Sequence, residues 1–356
     1  MIFISKIGLR QMILLFVWTV ILPDTYCQPL TKSEILEELE IIFTSLKELH
    51  PGIAVYRDIE QVEQEYERIR HCIASEDTIV RSDYYNTYSE LCGFINCGHM
   101  VVYDPEERLR HSMQGEKNPM KYEINTFGMS KLVIPTFYTV RLKKDGIHYK
   151  RYLRSFFKKV YMSNCQEVVV DIRGNKGGSV HMAAYLASFV VDTSFTLFNS
   201  VELTAYEKTT YEQYIKKNSF YRFRKLLTKK KNNKRLYWLH RELRPRKPKR
   251  YSPPDDVRFV ILIDKDTFSA ATMFAAICRA KSDAIFLGEE TSGKCIGSGL
   301  SPLKLTLPYS NLIVYIPMAY IYLSTNNLAN DQLFRGVIPD NVSEINSFYK
   351  AGHFDE

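Results

Sequence analysis

The chain has 356 residues, 45% of them apolar, with 48 Lys and Arg against 40 Asp and Glu. That length and apolar content exclude a disordered tail and a disulfide-stapled miniprotein, and allow one large domain or two. The net charge of +8 is not spread over the chain: residues 216–250 hold sixteen Lys/Arg and one acid, Glu242, so this stretch carries +15 and the remainder about −7. The body is mildly acidic with a basic insertion. The insertion's basic and aromatic mix is a composition of nucleic-acid contact, and it is the export expected from the N-terminus that argues against nucleic acid as a partner.

The N-terminus carries Lys6 and Arg10, then the apolar run Met12–Leu22, then Pro23. This is the three-part pattern of a signal peptide, expected over residues 1–27, and it implies export. Cys27 marks either a cleavage point or a lipid anchor. No later apolar run reaches the length of a membrane span. Export permits disulfides, and Cys72 with Cys92 or Cys97 is the expected pair, because these cysteines flank helices of one bundle.

Residues 28–98 read as a small helical domain. Thr31-Lys32-Ser33-Glu34 is a capping box, followed at helical spacing by Ile35, Leu39, Ile42, Leu46 and Leu49. His50-Pro51-Gly52 stops that helix. Asp58 caps a second one, with Val62, Tyr66, Ile69 and Ile73 on one face, and a third runs through Tyr84, Tyr88, Leu91 and Ile95. Cys97-Gly98-His99 then turns into a strand. Between 104 and 160 the pattern predicts strands over Lys131–Pro135 and Thr139–Leu142, and a helix over Tyr149–Tyr161.

The strand Val168–Ile172 runs into Arg173-Gly174-Asn175-Lys176-Gly177-Gly178 and a helix over Ser179–Asp192. The basic stretch 205–250 mixes Tyr, Phe and Trp238 with Lys and Arg, a composition that suits a lid over or beside a cleft, or a patch on an anionic envelope surface. Pro245, Pro248, Pro253 and Pro254 end it as an extended linker. Val257–Ile263 is a near-continuous apolar run, as in a strand buried on both faces. An Ala-rich helix follows from Ser269, and a second strand, Asp283–Gly288, ends in the turn Glu289–Lys294. Ser269 therefore sits where a buried strand becomes a buried helix. It is either an ordinary N-cap or a side chain exposed beside a helix N-terminus. Downstream, Leu303, Leu305 and Leu307, a turn at Tyr309–Asn311, then Leu312, Val314 and Ile316 spell a β-hairpin.

Three of these stretches, in this order, resemble the tail-specific (C-terminal processing) serine protease family: Asp171–Gly178 (D-x-R-x-N-x-G-G), Thr267–Ala270 (T-x-S-A) and Gly288–Lys294 (G-E-x-T-x-G-K), with Lys294 placed 25 positions after Ser269. Gly336-Val337-Ile338-Pro339-Asp340 resembles the family's closing signature. The resemblance implies an α/β fold, a ClpP/crotonase-like core with a curved β-sheet and flanking helices, preceded by the helical domain. The catalytic core is then expected over 99–345, with 205–250 as an insertion and 346–356 as a tail. The implied function is an exported serine peptidase that forms an acyl-enzyme on Ser269, with a peptide or protein as substrate. A catalytically silent relative that holds a peptide or apolar ligand in the cleft is the alternative.

In that chemistry Ser269 is the nucleophile, and the oxyanion is expected at the N–H of Ala270 and an N–H of Gly177 or Gly178. The base is Lys294, as in the family's dyad, or His99, whose Gly-His step resembles that of tricorn-like members. His99 is preferred because histidine titrates near neutrality, whereas a lysine must be desolvated. Lys294 is then the runner-up, or a charge that positions substrate. Three departures stand out. The space after residue 104 is too short for a substrate-gripping PDZ domain. Thr272 stands where dyad members often have Glu. Leu333-Phe334-Arg335-Gly336 lacks the acid of an E-x-x-G step, with Asp331 two residues earlier than Leu333. Gly288 to Lys294 nearly spells a phosphate loop but lacks its Ser/Thr, and a hairpin follows instead of a helix. Cys92, Cys97 and His99 are too irregularly spaced for zinc. No metal and no cofactor is expected.

Overall fold

The computed structural model describes residues 30–76, 79–106, 120–124, 128–163, 165–203, 209–216, 222–223, 226, 228–231, 234–237, 257–299, 302–323 and 335–340. The expected signal peptide 1–27, Cys27 and the tail 346–356 lie outside these residues. The N-terminal helices form where capping and periodicity place them. They are α1 (Lys32–Leu49), the short α2 (Ile53–Tyr56), α3 (Ile59–Ser75) and α4 (Arg81–Phe94). Thr31 and Glu34 form the reciprocal capping box of α1, and Asp58 accepts the Glu60 N–H to start α3.

These helices do not stand apart from the rest of the chain. Their buried residues belong to one apolar cluster that continues through the strands. Glu38 of α1 is fully buried, and its carboxylate accepts the N–H groups of Tyr309 (2.8 Å) and Ser310 (2.7 Å) and the hydroxyl of Tyr88 (3.1 Å). Burial raises the Glu38 pKa, and these bonds oppose the rise. Arg81 pairs with Asp104 at 3.0 Å, tying α4 to the chain beyond the next strand.

The remaining helices are α5 (Thr139–Lys144), α6 (Tyr149–Met162), α7 (Val180–Val190) and α8 (Ala270–Lys281). In chain order the strands begin with β1 (Val101–Tyr103), β2 (Lys121–Ile124), β3 (Met129–Val133), β4 (Glu167–Asp171) and β5 (Phe198–Leu203). Next come β6 (Ile215–Lys216), β7 (Thr228–Lys231), β8 (Lys234–Tyr237), β9 (Arg258–Ile263) and β10 (Ile285–Gly288). The last are β11 (Ile296–Gly299), β12 (Leu303–Thr306), β13 (Ile313–Ile316) and β14 (Ala319–Leu323).

The sheet that positions the site has the order β10-β9-β4-β3-β2. Its links from β3 to β10 are parallel, and β2 adds an antiparallel edge. Helices make the crossovers, as parallel pairing requires. Every residue of β4 is buried, which explains its unbroken valine run. Because Asp171 of β4 lies opposite Leu262 of β9, the loops leaving these two strands emerge side by side. In such a sheet the crevice outside the carboxyl ends of the strands is where sites form. Two antiparallel sheets complete the mixed α/β class, β1-β13-β12-β6 and β11-β14-β5-β8-β7. The predicted hairpin is β12–β13.

Three expectations need correction. Thr139–Leu142 is helical, not extended. Gly146, at φ 69°, closes α5 with the bonds Gly146 N–H to Lys143 O (3.1 Å) and Ile147 N–H to Leu142 O (2.8 Å), a Schellman arrangement. That cap and the buried Leu142 outweigh the β preference of Thr139 and Val140, which are exposed. Second, Cys72, Cys92 and Cys97 are all free thiols. Cys72 is exposed on α3 with Arg68 at 3.9 Å, whereas Cys92 faces the core. Third, the basic stretch is not wholly a lid: residues 204–208 and 238–256 lie outside the described residues, and where described its strands are paired with the core, β6 with β12 and β8 with β5. They satisfy backbone groups that sheet edges otherwise expose. None of the described residues from 209 to 237 lines the cleft at Ser269.

Candidate active site

Ser269 stands at the N-terminus of α8 with φ 56° and ψ −119°, a left-handed backbone seen at only three non-glycine residues among those described. Such strain costs on the order of 1–3 kcal/mol and persists only where surroundings enforce it. The enforcement is visible. Thr267 accepts the Asp264 N–H at 3.0 Å and donates to the Asp264 carboxylate at 2.9 Å. Phe268 N–H bonds Asn175 O at 3.0 Å, and Asp264 also accepts the Gly174 N–H at 2.9 Å. The side chain of Ser269 makes no cap bond to α8, so it does not act as an ordinary N-cap.

The glycine loop from β4 is pressed against this turn. A Cβ on Gly177 would lie 2.8 Å from the Ser269 Cβ and 2.9 Å from the Ala270 nitrogen, so only glycine brings the two loops together. Asn175, fully buried, braces the loop by donating to Ile134 O (2.9 Å) and accepting the Gly177 N–H (2.9 Å). The Gly177 amide is therefore already spent, which corrects its expected place among the oxyanion donors. The N–H groups of Gly178 and Ala270 make no hydrogen bond among the described residues. Asp171 has a bracing task too: it takes Arg173 in a two-pronged pair at 3.0 and 2.9 Å.

His99 enters from the opposite side, on the turn between α4 and β1. Asn96 and Gly98 both have positive φ there, and a Cβ on Gly98 would meet the Phe268 ring at 2.7 Å. The imidazole packs on Phe268, with ring centres 4.6 Å apart. Its Nε2 lies 3.1 Å from Ser269 Oγ. The residue is half-buried and Nδ1 is sealed from solvent; Nδ1 makes no hydrogen bond of good geometry among the described residues, the Cys97 backbone lying near enough only to favour the charged ring. Burial lowers the His99 pKa to about 4, and the nearby Cys97 backbone pulls weakly the other way. The expectation of a histidine titrating near neutrality is thus corrected.

A second histidine lies close by. His50, 5% exposed, accepts the Gly52 N–H at Nδ1 (3.4 Å), presents a ring edge to Tyr56 (5.9 Å) and leaves Nε2 unpartnered among the described residues. Its pKa is also lowered to about 4, first by burial and then by the proximity of His99. In the sequence His50 reads as part of a helix stop, Leu49-His50-Pro51-Gly52, that also resembles the N-terminal region of secreted members of the tail-specific family, and it carries no role at the site in that reading.

Lys294 is at the cleft but not at the serine hydroxyl. Its Nζ lies 5.2 Å over the ring of Tyr56, and the residue is exposed. Of the two candidate bases, His99 alone makes a hydrogen bond with Ser269 among the described residues. The turn before Lys294 packs tightly on α8: a Cβ on Gly293 would lie 2.2 Å from Thr272 Oγ1. This crowding leaves little room for a glutamate at position 272. His99, Ser269, Ala270 and Lys294 line one cavity of about 370 Å³, whose apolar wall includes Val180, Phe198, Met273 and Ile321. Asp331 and Leu333 lie outside the described residues. Asp340 bonds Arg279 (2.6 Å) and the Phe286 N–H (2.8 Å), a fastening of α8 to β10.

A model described as peptidase family S41 matches residues 128–343, more than half of the chain. The chain belongs to peptidase family S41. It is accordingly a serine-type peptidase, a hydrolase whose substrate is a peptide or protein. The family S41 match takes in Gly178, Ser269, Ala270 and Lys294, while His99 and the helices before it lie upstream. Among solved structures, a serine-to-alanine mutant of CPAF is similar with a TM-score of 0.62 at 12% identity, over 86% of this chain and 92% of that one. Mature CPAF complexed with lactacystin gives 0.56 at 11%, over 86% and 93%. A candidate peptidase from Parabacteroides merdae gives 0.53 at 15%, over 87% and 89%. At these identities the likeness is one of fold, and it extends well upstream of the region matched by the S41 model. No curated protein matches the sequence.

Proposed function

We propose that this member of family S41 is exported and hydrolyses peptide bonds through an acyl-enzyme on Ser269, with His99 as general base. The observation that carries the reading is the 3.1 Å contact between Ser269 Oγ and His99 Nε2. Ser269 Oγ attacks the scissile carbonyl carbon while its proton passes to His99 Nε2. The carbonyl oxygen gains negative charge and is met by the N–H groups of Ala270, at the positive end of α8, and Gly178. His99 then gives the proton to the leaving amine as the C–N bond breaks. A water, deprotonated by His99, hydrolyses the ester and restores Ser269.

A base held at about 4 is neutral at pH 7 and ready to accept that proton. No metal or cofactor has a part in these steps. The stretch after residue 104 is too short in sequence for a PDZ domain, which leaves substrate choice to the cleft itself. The signal-like N-terminus supports export, and the basic stretch 216–250 suits an anionic envelope surface.

A fluorophosphonate probe followed by peptide mapping tests the nucleophile. Labelling of the peptide containing Ser269, lost in His99→Ala, is the expected result, and labelling at another serine sinks the assignment. Fractionation of cells producing the tagged full chain tests export, with a cytoplasmic full-length product as the contrary outcome.

A further inference from the structure

The cleft holds one cation whose charge no acid answers among the described residues. The backbone at Lys294 is held from both sides. Gly293 packs against Thr272 and the Ser269 amide, with an added Cβ only 3.0 Å from Ser269 N. Cys295 gives its N–H to Arg335 O and accepts the Leu323 N–H at its carbonyl, each at 3.0 Å. The side chain leaves this fixed point and carries Nζ to the face of Tyr56, 5.2 Å from the ring centre. An aromatic face attracts an ammonium without using up its N–H donors, so the group is oriented and still able to bind.

The acids that could neutralise it are engaged or turned away. Glu290 takes Arg335 at 2.5 Å and the Gly336 N–H at 3.0 Å. Asp266, on the cavity wall, has Lys176 at 4.0 Å, both largely exposed, and makes no ion pair with Lys294 among the described residues. Glu289 is not part of the wall. The wall thus carries two lysines and one aspartate, beside an apolar face formed by Val180, Phe198 and Met273.

We propose that Lys294 determines specificity by binding a carboxylate of the substrate, so that the cleft selects peptides bearing an acidic group near the scissile bond. The assignment rests on the peptidase reading of this cleft. It also accounts for a lysine at the dyad position that makes no hydrogen bond with Ser269 among the described residues. The carboxylate can belong to an Asp or Glu side chain or to the C-terminus of the peptide, since both offer the same two oxygens.

The test uses one fluorogenic peptide carrying Glu, Gln or Lys at each position flanking the scissile bond, plus acid-free versions with a free or amidated C-terminus. For the wild-type chain, kcat/KM is expected to be about tenfold higher for Glu than for Gln at one position, mostly through KM. A free-over-amidated preference instead assigns the carboxylate to the chain end. Lys294→Met is expected to bring the ratio to about one, and Lys294→Glu to reverse it in favour of the Lys peptide. A ratio unchanged in both variants, or an equal loss on every peptide, overturns the proposal. Binding of the same peptides to Ser269→Ala, with and without Lys294→Met, reads the same ratio without turnover. Discrimination that persists in a chain that hydrolyses nothing keeps the Lys294 assignment and removes the catalytic one. Equal binding within both pairs, Glu against Gln and free against amidated C-terminus, removes the Lys294 assignment and leaves the catalytic one.

Discussion

The two sides of the cleft are built by different means. The Ser269 side comes from adjacent parallel strands, β4 and β9, and its turn is cross-braced by Asp264, Thr267 and Asn175. The His99 side comes from a turn after α4, is held mainly by packing on Phe268, and leaves Nδ1 without a hydrogen bond among the described residues. The Ser269 turn is locked by hydrogen bonds, and the His99 turn mainly by shape. Strain at Ser269 can be carried because many bonds oppose it, whereas His99 depends on a few close contacts. The His99 side should therefore tolerate less repacking.

The largest effects are expected at Ser269 and His99, the two residues the proposed mechanism uses. Ser269→Ala is expected to abolish hydrolysis, by roughly five decades or more, with little change in thermal stability. Retained turnover places the nucleophile elsewhere. His99→Ala should cost about three to four decades, and Lys294→Ala far less, in steady-state kinetics on one peptide. The opposite ranking makes this a Ser–Lys enzyme.

Repacking distinguishes the sides more finely. Gly177→Ala forces a Cβ against Ser269 and Ala270 at a φ of 90°, and should cost about 2–4 kcal/mol in a denaturant melt together with most of the activity. Gly98→Ala, at φ 71° and against the flexible edge of Phe268 rather than backbone, should unfold the chain less but displace His99. The expected sign is a larger ratio of activity loss to stability loss than for Gly177→Ala.

The acid limb of kcat/KM should report the free enzyme's base. With His99 at about 4, activity is expected to hold from neutral pH down to about 5.5 and to fall below it. A midpoint near the ordinary histidine value of 6.5 contradicts the burial argument.

The smallest effect concerns stability. His50 titrates at about 4 in the folded chain and near 6.5 when unfolded, so the unfolded state binds more protons between those values. Its contribution is complete above pH 6.5 and is lost as pH falls toward 4, on the order of 3 kcal/mol at most. His50→Gln should flatten the pH dependence of the unfolding free energy in that window by up to one proton. An unchanged slope shows that His50 does not titrate there.

Much of the Ser269 side was legible because its information is local. A β-branched run, an Ala-rich helix and a glycine loop each span about ten residues, and each has its own periodicity or backbone demand. The same locality misled at Thr139–Leu142, where β-branched residues suggested a strand and a Schellman cap a few residues later decided for a helix. The three-motif order sufficed for the fold class, and the family S41 match agrees with it.

The order of amino acids carries the fold class and the strand-to-helix turn on which Ser269 sits. Tertiary structure alone decided which nitrogen faces that hydroxyl, since His99 and Ser269 are 170 positions apart and meet only through the packing of α4 and β1 onto the sheets. It likewise decided that Asn175 takes the Gly177 amide, that the β7–β8 hairpin extends a core sheet, and that a histidine expected to titrate near neutrality is pushed down to about 4. Each of these depends on what lies across a gap in space, on burial and on the register between distant segments, and none of that is written in the spacing of neighbouring residues.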